Sequence, residues 1–141
     1  MGEARETMNR LTEALFANDL EALKELYAED AVAETPDQGT LVGRDAIVAW
    51  LEEFIVAFPD ATFEEGPAHE SGDTAIDEGF FTGTHTGPLK APDGTTIDPT
   101  GKSVRVRACD IATVKDRKVT SHRFYFDQIE FLTQLGLLPA G

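Results

Sequence analysis

Apolar residues at helical spacing occur in two stretches of the first half of the chain. The first stretch has apolar residues three and four positions apart, as one buried helix face does: Ala4, Met8, Leu11 and Leu15. Asn18 and Asp19 then offer a break with a new cap, and Leu20 to Tyr27 continue as a short second helix. The clearest helix follows, with six apolar residues on one face: Ile47, Trp50, Leu51, Phe54, Ile55 and Phe58.

The pattern changes from helical to β-type after Pro59. Runs separated by Gly, Asp and Pro predict strands over roughly 61–70, 73–86, 102–115 and 118–126. A shorter strand is predicted over residues 31–34, before a turn at 36–39. Residues 87–101 contain three prolines and three glycines, so they are predicted to form a long loop that could serve as a lid.

The order of these elements predicts the fold class. Helices come first, strands follow, and a last helix starts at Asp127 and ends before Gly136. This order is typical of an α+β domain, in which a curved antiparallel sheet wraps around the N-terminal helices. The 141 residues, 41% of them hydrophobic, suit one domain over 1–141 with one core.

Charge and hydropathy exclude several classes of partner. The net charge of −14 repels phosphate backbones and acidic membrane faces, so neither nucleic acid nor membrane is an expected partner. The chain has no apolar run of about 18 residues and its N-terminus is polar, which predicts a soluble, cytoplasmic protein. Cys109 is the only cysteine, which excludes an internal disulfide and multi-thiolate zinc sites. It is predicted to be a core or sheet-face thiol, because no partner marks it as a nucleophile.

Asp127 has two interpretations. It is followed three positions later by Glu130, the spacing of a capping box, in which the aspartate accepts the third backbone amide and the glutamate reaches back. Capping explains an aspartate after an aromatic strand, and a catalytic role is the alternative.

The hairpin around residues 115–118 allows two registers. A type I turn with a bulge at Arg117 pairs Asp110 with Phe124, Ala112 with His122 and Ala108 with Phe126. A plain two-residue turn instead sets Asp110 opposite Arg123 as a cross-strand ion pair. Arg117 is unfavourable at a bulge position that prefers glycine, so both registers stay open.

The bulged register creates a candidate site. Small residues on one strand and large aromatics on the next would surround a mostly apolar hollow that contains Asp110. A carboxylate in apolar surroundings has a raised pKa and can act as a general acid or base near neutral pH. Asp110 is therefore the candidate catalytic residue. Five residues are expected to bind the substrate: Trp50, Phe54, Ala108, Phe124 and Phe126.

Two histidines are candidates to assist Asp110. His122 alternates with aromatic residues, so it is either a satisfied inner histidine or the partner of Asp110. His85 lies at a strand end beside the long loop, where it is either an exposed or loop-bonding residue or a further catalytic group.

Several short motifs, in their order along the chain, resemble the SnoaL-like polyketide cyclase (ester cyclase) family, within the nuclear transport factor 2-like folds. They are Gly-Arg-Asp-Ala-Ile at 43–47, Phe-Pro-Asp at 58–60, Gly-Thr-His-Thr-Gly-Pro at 83–88, Pro-Thr-Gly-Lys at 99–102, and His122-Arg123 five positions before Asp127 and upstream of Gln-Leu-Gly at 134–136. The resemblance covers nearly the whole chain.

The resemblance implies cofactor-free cyclisation by an intramolecular aldol reaction, with no metal. It places the family's catalytic aspartate at Phe124 and its histidine helper at Asp110, so both positions depart from the family pattern. It also supports the bulged register, and it implies a homodimer formed through the outer sheet face, where that register places Arg105, Arg107 and Cys109.

Three hypotheses follow from these observations. The first is a cofactor-free cyclase, isomerase, dehydratase or hydrolase acting on a small hydrophobic molecule with a ring or a carbonyl group. The second is a non-catalytic binding module that has lost the cyclase aspartate. The third is an interaction protein that uses the outer sheet face.

Overall fold

The computed structural model describes residues 2–91 and 93–138. Within these residues the helices lie where the apolar spacing predicts them: α1 Glu3–Phe16, α2 Leu20–Leu26, α3 Arg44–Ala57 and α4 Gln128–Gln134. Asp19 caps α2, because its side chain accepts the backbone N–H of Ala22 at 3.1 Å. The predicted break between the first two helices is therefore confirmed. Among the described residues, no helix is long and apolar enough to cross a membrane.

The strands form a six-stranded sheet and a small separate pair. The strands of the large sheet are β1 Tyr27–Thr35, β2 Gly39–Val42, β3 Thr62–Ser71, β4 Thr74–Thr84, β7 Ser103–Lys115 and β8 Lys118–Phe126. Their order across the sheet is β2-β1-β8-β7-β4-β3. Strands β5 (Leu89–Lys90) and β6 (Thr96–Ile97) pair within the long loop that precedes β7.

The first strand departs from the sequence-based prediction in three ways. Tyr27, predicted to end the second helix, begins β1, and residues 39–42 form an unpredicted partner strand. In addition, β1 runs parallel to β8, whereas the other pairs of the large sheet are antiparallel. The 39–42 strand pairs with β1 as a local hairpin, whereas the start of β1 at Tyr27 and its direction depend on pairing with a strand about ninety positions away, which local patterns do not encode.

The β7–β8 hairpin has the predicted register for a different reason. Asp116 and Arg117 both have positive φ, 52° and 62°, which makes a two-residue turn of type I′ between Lys115 and Lys118. The register then shifts at Thr120, which bulges from β8 between paired residues Val119 and Ser121. Beyond the bulge the predicted pairs are present: Asp110 with Phe124, Ala112 with His122, and Ala108 with Phe126.

The helices cover one face of the large sheet. Helix α1 packs on β3, β4 and β7, helix α3 on β1, and helix α4 on β7. Strand β7 alternates accordingly: Val104 and Val106 are buried beneath the helices, whereas Arg105 and Arg107 are exposed on the outer face. This arrangement leaves a space between helices and sheet on the inner face.

Candidate active site

A largely aromatic cavity lies between the helices and the inner face of the sheet. Its volume is about 120 Å³. Much of its wall consists of aromatic rings: Phe16, Trp50, Phe54, Phe81, Phe124 and Phe126. The five residues predicted to bind substrate, Trp50, Phe54, Ala108, Phe124 and Phe126, all line this cavity, and so do Asp110 and His122.

Asp110 ends a buried chain of hydrogen bonds. Its Oδ2 lies 2.7 Å from Nε2 of His122, and Nδ1 of His122 lies 2.6 Å from the hydroxyl of Tyr27. His122 and Tyr27 are fully buried, whereas 19% of the Asp110 side chain is exposed. The structure therefore brings Asp110 and His122 together and adds Tyr27, which the sequence did not single out because its place depends on the parallel pairing of β1 with β8.

The hydrogen-bond chain fixes the direction of its protons. Burial, together with the nearby charge of Asp110, raises the pKa of Tyr27 well above its usual value, so its hydroxyl stays protonated. Because the Asp110 carboxylate only accepts, Nε2 of His122 carries a proton and donates it to Oδ2, and the Tyr27 hydroxyl is the hydrogen-bond partner of Nδ1. This arrangement orients His122 and leaves Asp110 as the acceptor at the end of the chain.

An ion pair lies beside Asp110. Asp77 is directly opposite Asp110 in the pairing of β4 with β7, and its Oδ1 lies 2.6 Å from Nη2 of Arg5 on α1. Arg5 also donates to the backbone oxygens of His69 and Ile76, each at 3.2 Å. Burial and the charge of Asp110 raise the pKa of Asp77, and Arg5 opposes this shift. Sequence analysis did not predict this ion pair. Its only signal in the sequence was Arg5, a charged residue next to Ala4 of the apolar helix face.

Phe124 occupies the position that the family resemblance assigns to a catalytic aspartate. Its ring stacks on the imidazole of His122, with ring centroids 3.9 Å apart and planes inclined by 30°. The Phe124 ring also contacts Trp50, with ring centroids 4.8 Å apart. Phe124 therefore contributes an apolar wall at this position, and the acid of the site lies across the hairpin at Asp110.

His85 lies outside the cavity. It is fully buried against Phe58, with ring centroids 5.4 Å apart, and its Nδ1 accepts the backbone N–H of Thr100 at 3.2 Å. Burial lowers the pKa of His85, partly opposed by the backbone at Gly87, which favours a neutral ring. His85 thus bonds the end of the 87–101 loop, and the structure does not bring it to Asp110.

Asp127 is a helix cap. Its Oδ1 accepts the backbone N–H groups of Ile129 at 2.8 Å and Glu130 at 3.2 Å, which satisfies the start of α4. Glu130 accepts a hydrogen bond from Gln134 at 3.3 Å. These bonds confirm Asp127 as the helix cap, whereas Glu130 bonds Gln134 instead of the backbone N–H of Asp127, so only half of the predicted capping box is present. Asp127 does not line the cavity.

Neither an activated thiol nor a cluster of metal ligands is found among the described residues. Burial raises the pKa of the Cys109 thiol, with further contributions from Asp110 and Glu78, so the thiol is not activated as a nucleophile. Over residues 2–91 and 93–138, no group of three or more His, Cys, Asp or Glu side chains is placed to hold a metal ion.

Solved structures share the fold along nearly the whole chain. IdmH of Streptomyces antibioticus, a candidate polyketide cyclase, is 26% identical over 96% of this chain and 99% of its own, with a TM-score of 0.80. AclR of Streptomyces galilaeus, a candidate hydroxylase, is 24% identical over 99% and 84%, with a TM-score of 0.81. An LEH-like epoxide hydrolase of M. tuberculosis is 17% identical over 94% and 89%, with a TM-score of 0.72.

The family assignment follows from sequence. No curated protein matches the chain. The family model described as SnoaL-like polyketide cyclase matches residues 5–135, which include every side chain of the cavity described above. The predicted α+β fold with a curved sheet is confirmed by the structural matches. The chain therefore belongs to the SnoaL-like polyketide cyclase family.

Proposed function

We propose that the protein catalyses acid–base chemistry without a cofactor on a small hydrophobic molecule that carries a ring or a carbonyl group. Asp110 is the group that exchanges a proton with the substrate. The observation that carries this proposal is the buried chain from Tyr27 through His122 to Asp110, which ends at an aromatic cavity.

The geometry suits Asp110 as a general base. Oδ2 of Asp110 is hydrogen-bonded to His122, so Oδ1 is the atom expected to contact the substrate. In the proposed step, Oδ1 removes a proton from a carbon next to the carbonyl group, and the electron pair moves into the carbonyl to give an enolate. A bound substrate displaces water from between the aromatic walls, which strengthens the interaction of the charged groups. The same carboxyl then returns the proton at another atom or after a new bond has formed.

The size of the cavity limits the substrate. An engineered protein cavity of about 150 Å³ holds one benzene molecule. The cavity described here, at about 120 Å³, therefore holds one ring, and a larger substrate must extend beyond it.

Membership of the family makes cyclisation the first reaction to consider. Isomerisation, dehydration and hydrolysis need the same acid–base group in a dry pocket, and the fold by itself does not choose among them. Of the two histidines considered as helpers, His122 is the one placed to orient Asp110.

A non-catalytic binding module is the second candidate. Phe124 favours it, because an aromatic ring stands where the resemblance implies the catalytic aspartate and covers the face of His122. A binding module would keep the apolar cavity and show no turnover.

Nitrobenzisoxazole tests the proposed base directly. A base removes its ring C–H proton while the N–O bond breaks, and the product is a coloured cyanonitrophenolate that needs no cofactor. We expect saturable turnover by the wild type and a loss of at least about 100-fold in kcat for Asp110→Asn, the size typical of a general base. Asp116→Asn is the matched control, because Asp116 is exposed at the hairpin tip and its positive φ suits asparagine.

The same assay separates the two candidate functions. Equal turnover by Asp110→Asn and wild type would contradict the assignment of the base. Saturable binding without turnover, measured by NMR titration on the wild type, would favour the binding module.

A further inference from the structure

Trp50 is a large ring of the cavity wall that lacks packing partners on one side. It packs on Phe54 and Phe124, with ring centroids 5.0 Å and 4.8 Å away, and it lines the cavity. A side chain in a close-packed interior is held by contacts on every side. A ring that borders a cavity loses those contacts on the open side, so packing alone restrains it less.

A directional hydrogen bond supplies the missing restraint. Nε1 of Trp50 donates to the carboxylate of Asp37, at 3.2 Å from Oδ1 and 3.1 Å from Oδ2. The N–H is the single polar group of an indole, and a hydrogen bond to a carboxylate is stronger than one between neutral groups. Because only 5% of Trp50 is exposed, a rotation that breaks this bond would leave a buried donor without a partner.

Asp37 itself lies outside the cavity. It is in the turn between β1 and β2, and it is not one of the residues that line the cavity. The turn has its own anchor, because Oγ1 of the buried Thr35 accepts the backbone N–H of Gln38 at 2.9 Å. The bond from Asp37 to Trp50 therefore joins a ring on α3 to a fixed turn of the sheet.

We infer that Asp37 is a positioning residue of this cavity, which holds the Trp50 ring in place and thereby restricts the ligand to a single ring. The cavity volume of about 120 Å³ is that left by the ring in its bonded position. A ring that is free to rotate can make room for a second fused ring of a ligand. The inference rests on the proposed function because it takes this cavity as the ligand site, and it makes ligand size the property that Asp37 controls.

Two neutral probes that differ by one fused ring test this control of size. Dissociation constants of benzyl alcohol and naphthalenemethanol are measured by NMR titration for the wild type and each variant. The ratio of the naphthalenemethanol constant to the benzyl alcohol constant does not depend on the folded fraction of a variant, because that fraction affects both constants equally. A change in this ratio therefore reports the shape of the cavity and not the stability of the protein.

The expected results separate the hydrogen bond from the charge of Asp37. We expect Asp37→Ala to lower the ratio by about threefold or more, in favour of the two-ring probe. Asp37→Asn should stay near the wild type, because its amide oxygen still accepts the N–H of Trp50. Asp98→Ala is the matched control, since Asp98 is exposed and does not line the cavity, and it should leave the ratio unchanged.

Trp50→Phe tests whether Asp37 acts through the indole. Phenylalanine keeps an aromatic ring but has no N–H, so Asp37 has no donor to hold. In the Trp50→Phe background, Asp37→Ala should change the ratio by less than about twofold. A larger change in this background would show that Asp37 acts by another route and would contradict the inference.

Fluorescence tests the restraint without any ligand. Trp50 is the only tryptophan of the chain, so the decay of fluorescence anisotropy reports the motion of this ring alone. We expect Asp37→Ala to add a nanosecond motion of the indole that is absent from the wild type and from Asp37→Asn. An indole as rigid in Asp37→Ala as in the wild type would overturn the inference. An unchanged ratio of dissociation constants in Asp37→Ala, or an equal change in Asp37→Asn, would do the same.

Failure of this inference is distinguishable from failure of the proposed function, because the probes and the fluorescence need no turnover. If nitrobenzisoxazole turnover depends on Asp110 but Asp37→Ala changes neither the ratio nor the anisotropy, the role of Asp37 fails and the base remains. If Asp37→Ala changes both but turnover does not depend on Asp110, the control of ligand size stands and the catalytic proposal fails.

Discussion

Tyr27 holds the nitrogen of the His122 imidazole that faces away from Asp110. Its hydroxyl lies 2.6 Å from Nδ1, and both side chains are fully buried, so water cannot replace this bond. The result is an imidazole that donates to Asp110 through Nε2 and is held by Tyr27 at its other nitrogen. In this arrangement Tyr27 acts through His122, so it is a positioning residue.

Removal of the Tyr27 hydroxyl tests this role. We expect Tyr27→Phe to lower the free energy of unfolding by about 1–3 kcal/mol, because Nδ1 of His122 is left buried without a donor. Tyr125→Phe is the matched control, since 51% of Tyr125 is exposed, and its effect should stay within about 0.5 kcal/mol. Chemical denaturation measures both values.

The imidazole nitrogens provide a second readout that a structural role alone would not change. In the wild type, imidazole ¹⁵N shifts should show Nε2 of His122 protonated and Nδ1 hydrogen-bonded. In Tyr27→Phe, Nε2 should stay protonated because Asp110 still accepts from it, and the Nδ1 signal should move to that of a nitrogen without a hydrogen bond. An unchanged Nδ1 shift in Tyr27→Phe would contradict the positioning role.

At the scale of elements, the start of α4 shows how a helix-capping aspartate differs from the aspartate proposed as the base. Asp110 precedes the His122-Arg123 pair and Asp127 follows it; Asp127 bonds two backbone amides, whereas Asp110 lines the cavity. A carboxylate that already accepts the orphan amides of a helix has a sufficient local reason to be there.

Substitution of Asp127 tests the cap without disturbing the cavity. Asparagine caps helices about as well as aspartate, whereas alanine loses about 0.5–2 kcal/mol. We therefore expect Asp127→Ala to lower the free energy of unfolding by that amount, and Asp127→Asn to remain near the wild type in stability and in nitrobenzisoxazole turnover. A catalytic Asp127 would give the opposite result, a stable but inactive Asp127→Asn.

At the scale of the whole molecule, the two faces of the sheet have different roles. The inner face holds the cavity, and the outer face carries paired charges and exposed aromatic surface. On that face the Arg105 guanidinium lies 3.6 Å from the centroid of the Phe80 ring and 2.6 Å from a Glu64 oxygen, and Tyr125 is half exposed. A face with both acids and arginines can pair with a second copy of itself.

The homodimer implied by the family resemblance is testable in solution. We expect light scattering to give about twice the 15.3 kDa mass of one chain. Arg107→Glu should weaken the dimer, because Arg107 lies on the outer face next to Phe80. Lys24→Glu makes the same charge change on α2, an exposed site away from the sheet, and should leave the mass unchanged. A monomeric mass for the wild type would contradict the expected dimer.

Local physics accounts for what the sequence by itself determined. The helices follow from apolar residues on one face and the caps at Asp19 and Asp127 from short-range hydrogen bonds. The strands after Pro59 follow from β-type runs separated by Gly, Asp and Pro. The sequence could also predict that Asp110 and His122 face the cavity. Both lie on one short hairpin, and only two registers had to be compared to decide which face each side chain occupies.

The tertiary structure alone decided the rest. The bulge at Thr120, the parallel pairing of β1 with β8, and the Arg5–Asp77 ion pair join groups that the local pattern does not connect. Tyr27 and His122 are 95 positions apart, so only chain folding brings the hydroxyl to the imidazole. Sequence patterns report which residues are buried, whereas the partner that each buried polar group finds depends on long-range pairing and packing.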